Sequence, residues 1–319
     1  MKKLFFLAVS ILVLSVPISV GQTLRKPEDY YQRGLARHKS GDVEGAIADF
    51  SKAIEKFPKY SSAYTARATT RKAKGDLEGA LSDLGRAIEI NPELALPYYN
   101  RGFILLEKQD YDAAIRDFDQ AIERQPNLAI VYNNRGDAKR AKGDATGALS
   151  DYTRAIENDP KLITAYYARG GIRQDNKEMA LAIADYSKAI ELNPQFIEAY
   201  DSRAATRLAE GDPAGAIGDY NKIIELDPKN ADAYYNRGQV RHDQSAFNEA
   251  IIDFSKALEI NPQHAEAYAG RGLTLLAQGL DAEAQKDFDK YLELNKDARE
   301  LLEQRIRYAK YQRTLKKKS

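Results

Sequence analysis

The residue types that usually carry out catalysis are few in this sequence. It contains three histidines, His38, His242 and His264, and no cysteine. None of the histidines stands in an H-E-x-x-H setting, and the sequence contains no phosphate-binding glycine loop, Walker lysine or calcium loop. The lack of cysteine excludes thiol chemistry and thiolate metal sites. We therefore predict a protein that is not an enzyme and has no cofactor or metal site.

Charged side chains, by contrast, recur at a spacing that suits ion pairs. Eight arginines are each followed 16 residues later by an aspartate, and successive arginines are 34 residues apart. A guanidinium group can donate two parallel hydrogen bonds to one carboxylate. The candidate pairs are Arg33 and Asp49, Arg67 and Asp83, Arg101 and Asp117, Arg135 and Asp151, Arg169 and Asp185, Arg203 and Asp219, Arg237 and Asp253, and Arg271 and Asp287.

The same 34-residue interval organises most of the chain. The pentapeptide YYNRG occurs at residues 98–102 and again at residues 234–238, which is four intervals later. Tyrosine recurs at every interval between Tyr30 and Tyr268. Residues 30–301 are therefore one array of eight repeats. Their bounds are 30–63, 64–97, 98–131, 132–165, 166–199, 200–233, 234–267 and 268–301.

Each repeat predicts a hairpin of two helices. With the recurring tyrosine as position 1, apolar or small residues stand at positions 1, 5, 17, 18, 21, 24 and 25, in two runs of helical spacing. A Gly-Asp pair at positions 12 and 13, such as Gly143 and Asp144, can end the first helix and cap the second. In an antiparallel hairpin that turns near position 12, arginine at position 4 faces aspartate at position 20. We therefore predict eight ion pairs, one within each repeat.

This pattern resembles the tetratricopeptide repeat, whose aromatic, Gly, Ala, aromatic, Ala and Pro landmarks it shares. Position 5 is Gly or Ala and position 17 is Ala in all eight repeats, whereas arginine stands at position 4, where the family usually has leucine. The resemblance implies an all-α fold, a right-handed superhelical solenoid of antiparallel helix hairpins. We expect residues 297–313 to form a helix that caps the last hairpin through Leu301, Leu302, Ile306 and Tyr308 or Ala309. Residues 314–319 would then be a basic tail.

The resemblance also implies a function. Ligands of this family usually lie on the concave surface lined by the first helix of each hairpin, so a non-enzymatic scaffold that binds a protein or peptide is expected. Positions 2, 3, 6, 9 and 10 would line that surface. The candidate ligand-binding residues are Tyr31, Tyr99, Tyr167 and Tyr235, which occur in alternate repeats, together with Asn100, Asn134, Asn236, Phe103 and Arg140.

Several alternatives remain open for these residues. The tyrosines either face the groove or pack against the neighbouring hairpin. The asparagines could hold the backbone of a peptide, because a side-chain amide has both a donor and an acceptor. Together with stacked tyrosines they could instead bind an envelope polysaccharide, or the array could be a spacer without a groove ligand. The arginines at position 4 are either a ligand-binding ladder or a part of the packing.

Charge limits the partner. The formal net charge is +1, which argues against nucleic-acid binding. On the expected groove, basic residues stand in the earlier repeats (His38, Lys39, Lys72 and Arg140) and acidic residues in the later ones (Glu198, Asp201, Asp232, Asp243 and Glu266). Either a partner with two oppositely charged ends lies along the groove, or these residues are solvated.

The first residues have the pattern of an export signal. Lys2 and Lys3 precede an apolar segment at residues 4–16, and small residues at 19–21 suit cleavage. We predict a signal peptide at residues 1–21, a flexible lead-in at residues 22–29 and a periplasmic or extracellular location. The alternative is that the leader stays uncleaved and anchors the chain in a membrane.

Overall fold

The structure, a computed structural model, describes residues 26–316. Within this range the regular secondary structure is helical throughout, and none of the helices is long and apolar enough to cross a lipid bilayer. The chain divides into two compact units, a first unit that ends at Asn134 and a second unit that begins at Arg135. The expected signal peptide, residues 1–21, and the start of the expected lead-in lie outside the described residues.

The first unit consists of helical hairpins stacked in chain order. Helices α1, α3 and α5, the first helices of their hairpins, pack against the second helices α2, α4 and α6, and α2 and α4 also contact the next first helix. The bounds are α1 (Pro27–Lys39), α2 (Val43–Lys56), α3 (Ser61–Lys74), α4 (Leu77–Ile90), α5 (Ala95–Glu107) and α6 (Tyr111–Arg124); the opening residues of α7 (Ala129–Ala141) also belong to this unit.

The second unit repeats this arrangement and ends in an additional helix. Each first helix from α9 to α15 packs against the second helix that follows it, and α17 packs against α15. The bounds are α8 (Ala145–Asn158), α9 (Ile163–Asp175), α10 (Met179–Leu192), α11 (Ile197–Glu210), α12 (Pro213–Leu226), α13 (Ala231–Asp243), α14 (Phe247–Ile260), α15 (Ala265–Gln278), α16 (Asp281–Leu294), a 3₁₀ helix (Lys296–Ala298) and α17 (Arg299–Lys316).

Each first helix begins three residues before the tyrosine at position 1. The last residues of every 34-residue interval therefore belong to the next hairpin. One consequence shortens the expected lead-in, because residues 27–29 form the first turn of α1. Pro27 is favourable in a first turn, where its missing N–H would have no helical partner. Asp29 accepts a hydrogen bond from the backbone N–H of Lys26, at 3.0 Å.

The turn inside each hairpin has the same backbone conformation throughout. The residue at position 12 is left-handed in all eight turns. Five of these residues are glycines, such as Gly143 with a φ of 85°, and glycine adopts this conformation without steric penalty. The other three are Gln109, Lys177 and Ser245, with φ between 62° and 64°. Because a Cβ atom disfavours this region, these three turns carry backbone strain.

The small residue at position 5 allows the two helices of a hairpin to approach closely. A Cβ atom added to Gly34 would lie 2.6 Å from the ring of Phe50, which stands at position 21 of the facing helix. The second repeat combines Ala68 with the smaller Leu84, and both side chains are fully buried. The sixth repeat, however, combines Ala204 with Tyr220, and both are buried, so position 5 also accepts alanine beside a ring.

Helix α17 caps the last hairpin, but its bounds and buried side differ from the expectation. It begins at Arg299 after the short 3₁₀ helix and continues to Lys316, into the expected tail. Leu302, Ile306 and Ala309 pack on the core formed by α15 and α16. Leu301, which was expected in the capping stripe, is exposed, and of the alternatives Tyr308 and Ala309 it is Tyr308 that is exposed.

Candidate binding surface

The arginine at position 4 and the aspartate at position 20 are in contact in every repeat. Each arginine donates two hydrogen bonds, from Nε and Nη2, to the two oxygens of a buried carboxylate. The distance between Nη2 and Oδ1 is 2.5–2.7 Å in all eight. The spacing of 16 residues is therefore the spacing of two side chains that meet across a hairpin.

A second cation, which was not expected, reaches the same carboxylate in six repeats. It stands at position 8, and its nitrogen lies 2.6–2.9 Å from Oδ2 of the aspartate. The residues are Arg37, Arg71, Lys139, Arg173, Arg207 and Arg241. Leu105 and Leu275 occupy this position in the third and eighth repeats. The recurrence of a basic residue at position 8 was visible in the sequence and could have indicated this contact.

The position-4 arginines also connect successive repeats. Nη1 of Arg203 donates to Ser187 of the preceding second helix at 2.8 Å, and Arg67, Arg169 and Arg271 make the equivalent bond to a serine or threonine. Each of these guanidinium groups also lies 5.5–5.9 Å from the centre of its own position-1 tyrosine ring. With a carboxylate, a hydroxyl and a ring as neighbours, these arginines are part of the packing.

The tyrosines at position 2 are half-buried and pack within the array. The ring of Tyr167 lies 5.7 Å from Tyr186 of its own hairpin and 4.9 Å from Phe196, which precedes the next first helix. Tyr31 and Tyr235 have two ring neighbours in the same places, at 4.8–5.9 Å. Tyr99 lies 6.3 Å from Phe118. Each of these rings therefore packs against neighbouring side chains, as the second of the two alternatives for the tyrosines predicts.

The asparagines at position 3 differ from one another. Asn134 is only 6% exposed, and its amide lies between Asn133, which donates to Oδ1 at 3.3 Å, and the hydroxyl of Tyr99, which accepts from Nδ2 at 3.4 Å. Asn100 donates to Thr69 at 3.4 Å. Asn134 is thus engaged inside the first unit and does not extend a ladder with Asn100.

The other candidate of the first unit, Phe103, is also occupied by neighbours. Nζ of Lys72 lies 4.4 Å from the centre of the Phe103 ring and 3.1 Å from the carboxylate of Glu107. Burial raises the pKa of the nearby Tyr99 hydroxyl. The surface formed by the first helices of this unit is therefore aromatic, with its cation and carboxylate paired.

Position 6 changes character in the second unit. Asp137 accepts a hydrogen bond from the hydroxyl of Tyr152 at 2.7 Å, and burial raises the pKa of its carboxyl group to about 6. Arg140, a candidate ligand-binding residue, is about half exposed, and its guanidinium is 3.7 Å from Asp175. It also passes over Gly171, where the missing side chain leaves space.

A cleft of about 530 Å³ lies on the first-helix surface of the second unit, among α11, α12 and α13. Its apolar wall includes Leu208, Tyr220 and Val240. Its polar wall includes the candidate Asn236 and also Gln239, Asp243 and Gln244. Protein clefts of this size commonly hold small ligands or side chains. Among the candidate ligand-binding residues, Asn236 lines this cleft, and Asp243, which was expected among the acidic residues of the groove, lines it as well.

One acidic side chain, Asp243, lines the cleft. Two more, Asp201 and Asp232, stand on the first helices α11 and α13. Burial raises the pKa of the Asp201 carboxyl group, and repulsion by the nearby charge of Asp232 raises it further. A ligand that brings positive charge would relieve this repulsion.

Comparison with known proteins agrees with the hairpin geometry. Tetratricopeptide repeat models match residues 30–60, 70–109, 95–128, 135–195, 205–245, 231–264 and 265–297. No curated protein matches the chain significantly. Proteins of this repeat class are generally non-catalytic scaffolds that mediate protein or peptide interactions.

Several solved structures are similar. YrrB, a tetratricopeptide repeat protein with an unusual peptide-binding site, is 27% identical with a TM-score of 0.52, over 58% of this chain and 95% of YrrB. MamA is 29% identical with a TM-score of 0.51, over 55% of this chain and 96% of MamA. The C-terminal part of a repeat-containing protein from Cytophaga hutchinsonii is 21% identical, with a TM-score of 0.64 over 75% of this chain and 98% of that one, and shows the fold alone. Because the matched models together span most of the chain, this protein belongs to the tetratricopeptide repeat family.

Proposed function

We propose that this protein is a non-catalytic scaffold that binds a protein or peptide partner on the first-helix surface of its second unit, outside the cytoplasm. The cleft among α11, α12 and α13 is the observation that carries the proposal. An apolar side chain of the partner would pack against Leu208 and Tyr220. The amides of Asn236 and Gln239 would bind the backbone of the partner, because each has a donor and an acceptor.

The hydrogen bonding of these amides favours the cleft over the first unit as the binding site. Within the described residues, Asn236 and Gln239 make no hydrogen bond to another side chain, whereas Asn134 lies between Asn133 and Tyr99. A ligand can therefore bond to the two cleft amides without first breaking a bond inside the protein. The similarity to YrrB adds weight to a peptide as the class of ligand.

The packing of the tyrosines favours a protein partner over a polysaccharide. Stacking on a sugar needs an open ring face, and the position-2 rings Tyr31, Tyr167 and Tyr235 each lie against two other rings. The amides of the cleft and the carboxylate of Asp243 suit a peptide with positive charge. The location outside the cytoplasm rests on the leader pattern in residues 1–21 alone.

The proposal is tested by comparing two double variants of residues 22–319 in a pull-down from envelope extract. Asn236→Ala with Gln239→Ala removes the cleft amides. Gln195→Ala with Lys229→Ala, at exposed residues between hairpins of the same unit, is the matched control. Circular dichroism should first show equal helicity for both.

We expect the wild type and the control to retain the same protein partner and the cleft variant to lose it. Purified partner should then bind the wild type with a dissociation constant that rises at least about tenfold in the cleft variant. Retention of the partner by the cleft variant, or binding of polysaccharide alone, would contradict the proposal.

A further inference from the structure

Helix α17 carries a second apolar stripe, on a different side from the one that packs on α15. Leu301, Tyr308, Tyr311 and Leu315 are 56%, 65%, 59% and 45% exposed. Their spacing of seven, three and four residues is the alternation of a and d positions in a heptad repeat, with Gln304 at the remaining d position. A stripe of this period is the surface that a helix presents to a second helix running alongside it.

The stripe is exposed because α17 takes the place of a further first helix in a shifted register. A strict 34-residue interval would align Leu301 with Ala267 and Tyr308 with Thr274, which are both buried. The 3₁₀ helix Lys296–Ala298 replaces the usual turn between hairpins. When the interval is lengthened by one residue, Leu301 falls on position 33 and Tyr308 on position 6, which are partly or fully exposed in the first seven repeats.

The buried side of the helix agrees with this register. Leu302 and Ala309 pack on the core of the last hairpin. When the interval is lengthened by one residue, they align with Ala267 and Thr274, which are both fully buried. Arg313 also contacts Asp281 of the last hairpin at 2.6 Å. The shift therefore turns Leu301 and Tyr308 toward solvent, whereas a strict register would bury them.

We propose that this stripe pairs with the same stripe of a second copy of the chain, α17 against α17 in parallel across a two-fold axis. In this arrangement every stripe residue meets its own counterpart, and Tyr308 and Tyr311 form the central layers. Glu300 and Arg305 stand at the flanking g and e positions, which face each other between parallel helices. Arg305 contacts Glu266 of its own chain at 3.4 Å, and Glu300 of the second copy would add a second carboxylate to that guanidinium group. Gln304 supplies a polar layer that fixes the register.

The interface between the two stripes would be short, and the pairing is possible because the array already holds α17 in place. The stripe covers about 15 residues, or roughly 22 Å of helix, which is too short for a free coiled coil. Here the helix is already held in place by Leu302, Ile306 and Arg313. The seam is smaller than a standard interface of roughly 1,200 Å² or more, so we expect a reversible dimer that dissociates on dilution in the micromolar range.

The first test is sedimentation of residues 22–319 over a dilution series. We expect a monomer–dimer equilibrium that Tyr308→Ser with Tyr311→Ser weakens at least about tenfold. Leu181→Ser with Ile252→Ser removes two other exposed apolar side chains of the second unit, which lie on second helices, and should leave the equilibrium unchanged. A monomer at every concentration up to about 1 mM, or a dimer that the stripe variant leaves intact, would overturn the proposal.

Disulfide trapping tests the contact itself, because the chain has no cysteine of its own. Tyr308→Cys and Leu301→Cys should each give a cross-linked dimer on mild oxidation, since like positions meet in the parallel pair. Ile252→Cys, equally exposed on α14, is the control and should stay monomeric. Cross-linking of Ile252→Cys at the same rate, or none at either stripe position, would refute the pairing. Neither test depends on a ligand in the cleft.

Discussion

The two units share one scaffold and differ in what their first-helix surfaces leave open. Both contain the same position-4 arginine and position-20 aspartate pairs and the same close contact between positions 5 and 21. In the first unit, however, Asn134, Tyr99 and Phe103 are engaged by neighbouring side chains. In the second unit Asn236 lines a cleft together with the carboxylate of Asp243. The repeated ion pairs thus maintain the hairpins, while the side chains on the first-helix surface are free to differ.

The largest expected effect comes from removing an aspartate at position 20. Asp185 in the second unit binds both Arg169 and Arg173, whereas Asp117 in the first unit binds Arg101, with Leu105 in place of a second cation. Asp185→Ala should lower the free energy of unfolding by about 3–5 kcal/mol, because it leaves two partly buried cations without a partner. Asp117→Ala should lower it less. Urea unfolding followed by circular dichroism measures both, and equal losses would show that the second cation contributes nothing.

A pH effect is expected at position 6 of the second unit, where Asp137 titrates. Burial raises the pKa of Asp137 to about 6, above its ordinary value in an unfolded chain, so its charged form destabilises the folded protein above that pH. Asp137→Asn should therefore raise the free energy of unfolding at pH 7.5, by at most about 3 kcal/mol at roughly 1.4 kcal/mol for each pKa unit. The gain should shrink toward pH 4.5, where the folded protein already holds the proton.

Urea midpoints of the wild type and Asp137→Asn at the two pH values provide the measurement. Leu35, Thr69 and Phe103 occupy position 6 in the first unit and do not titrate in this range. Phe103→Leu is therefore a matched control whose effect should be the same at both values. A gain for Asp137→Asn that is independent of pH would contradict the account.

A smaller effect is expected from adding a methyl group between the helices of a hairpin. The added Cβ would lie 2.6 Å from the Phe50 ring in Gly34→Ala and 2.9 Å from the Phe254 ring in Gly238→Ala. We expect losses of about 1–3 kcal/mol from overpacking, larger for Gly34→Ala, because these two rings are positioned against a glycine, unlike Tyr220, which is positioned against Ala204. Adding Phe50→Leu to Gly34→Ala should recover part of the loss, because the second repeat already pairs Ala68 with a leucine. Thermal melts of the three variants test this order, and no recovery in the double variant would argue against a steric cause.

The smallest expected effect on stability comes from placing glycine at the left-handed turn residues, and it should be the same in both units. Gln109 in the first unit and Lys177 in the second have φ of 64° and 62°. Replacing either with glycine should raise the free energy of unfolding by about 0.5–1 kcal/mol, because the Cβ strain is removed. Gly143→Ala should have the opposite sign. A loss of stability in Gln109→Gly or Lys177→Gly, seen as a lower thermal midpoint, would show that these turns are not strained.

The sequence was sufficient for the scaffold because each of its contacts recurs at a fixed interval. The pairing of Arg203 with Asp219 follows from the 16-residue spacing and the position of the turn. The alternation of tyrosine at position 2 was also visible, but not the burial of its rings. That burial depends on Phe196 and its equivalents at position 31, which lie outside the hairpin to which the tyrosine belongs.

The candidate site was predicted less well, because its features depend on individual neighbours. Asn134 and Asn236 occupy the same position, yet Asn133 and Tyr99 enclose the former, and a cleft lies beside the latter. The 34-residue interval in the sequence cannot distinguish these two environments, because both asparagines occupy the same position in their repeats. The one-residue shift of α17 likewise follows from the 3₁₀ helix before it, which replaces the proline-containing turn of the earlier repeats.

Photo-cross-linking at matched positions tests the central claim most directly. Leu106 of the first unit and Leu208 of the second both stand at position 9, and Leu208 lines the cleft. A photoreactive amino acid at each position in turn, in the otherwise unchanged protein in its own envelope, should cross-link a discrete protein partner from position 208 and not from position 106. The adduct at 208 should disappear when Asn236→Ala and Gln239→Ala are added. A partner captured from position 106 alone, or equally from both, would contradict the assignment of binding to the second unit.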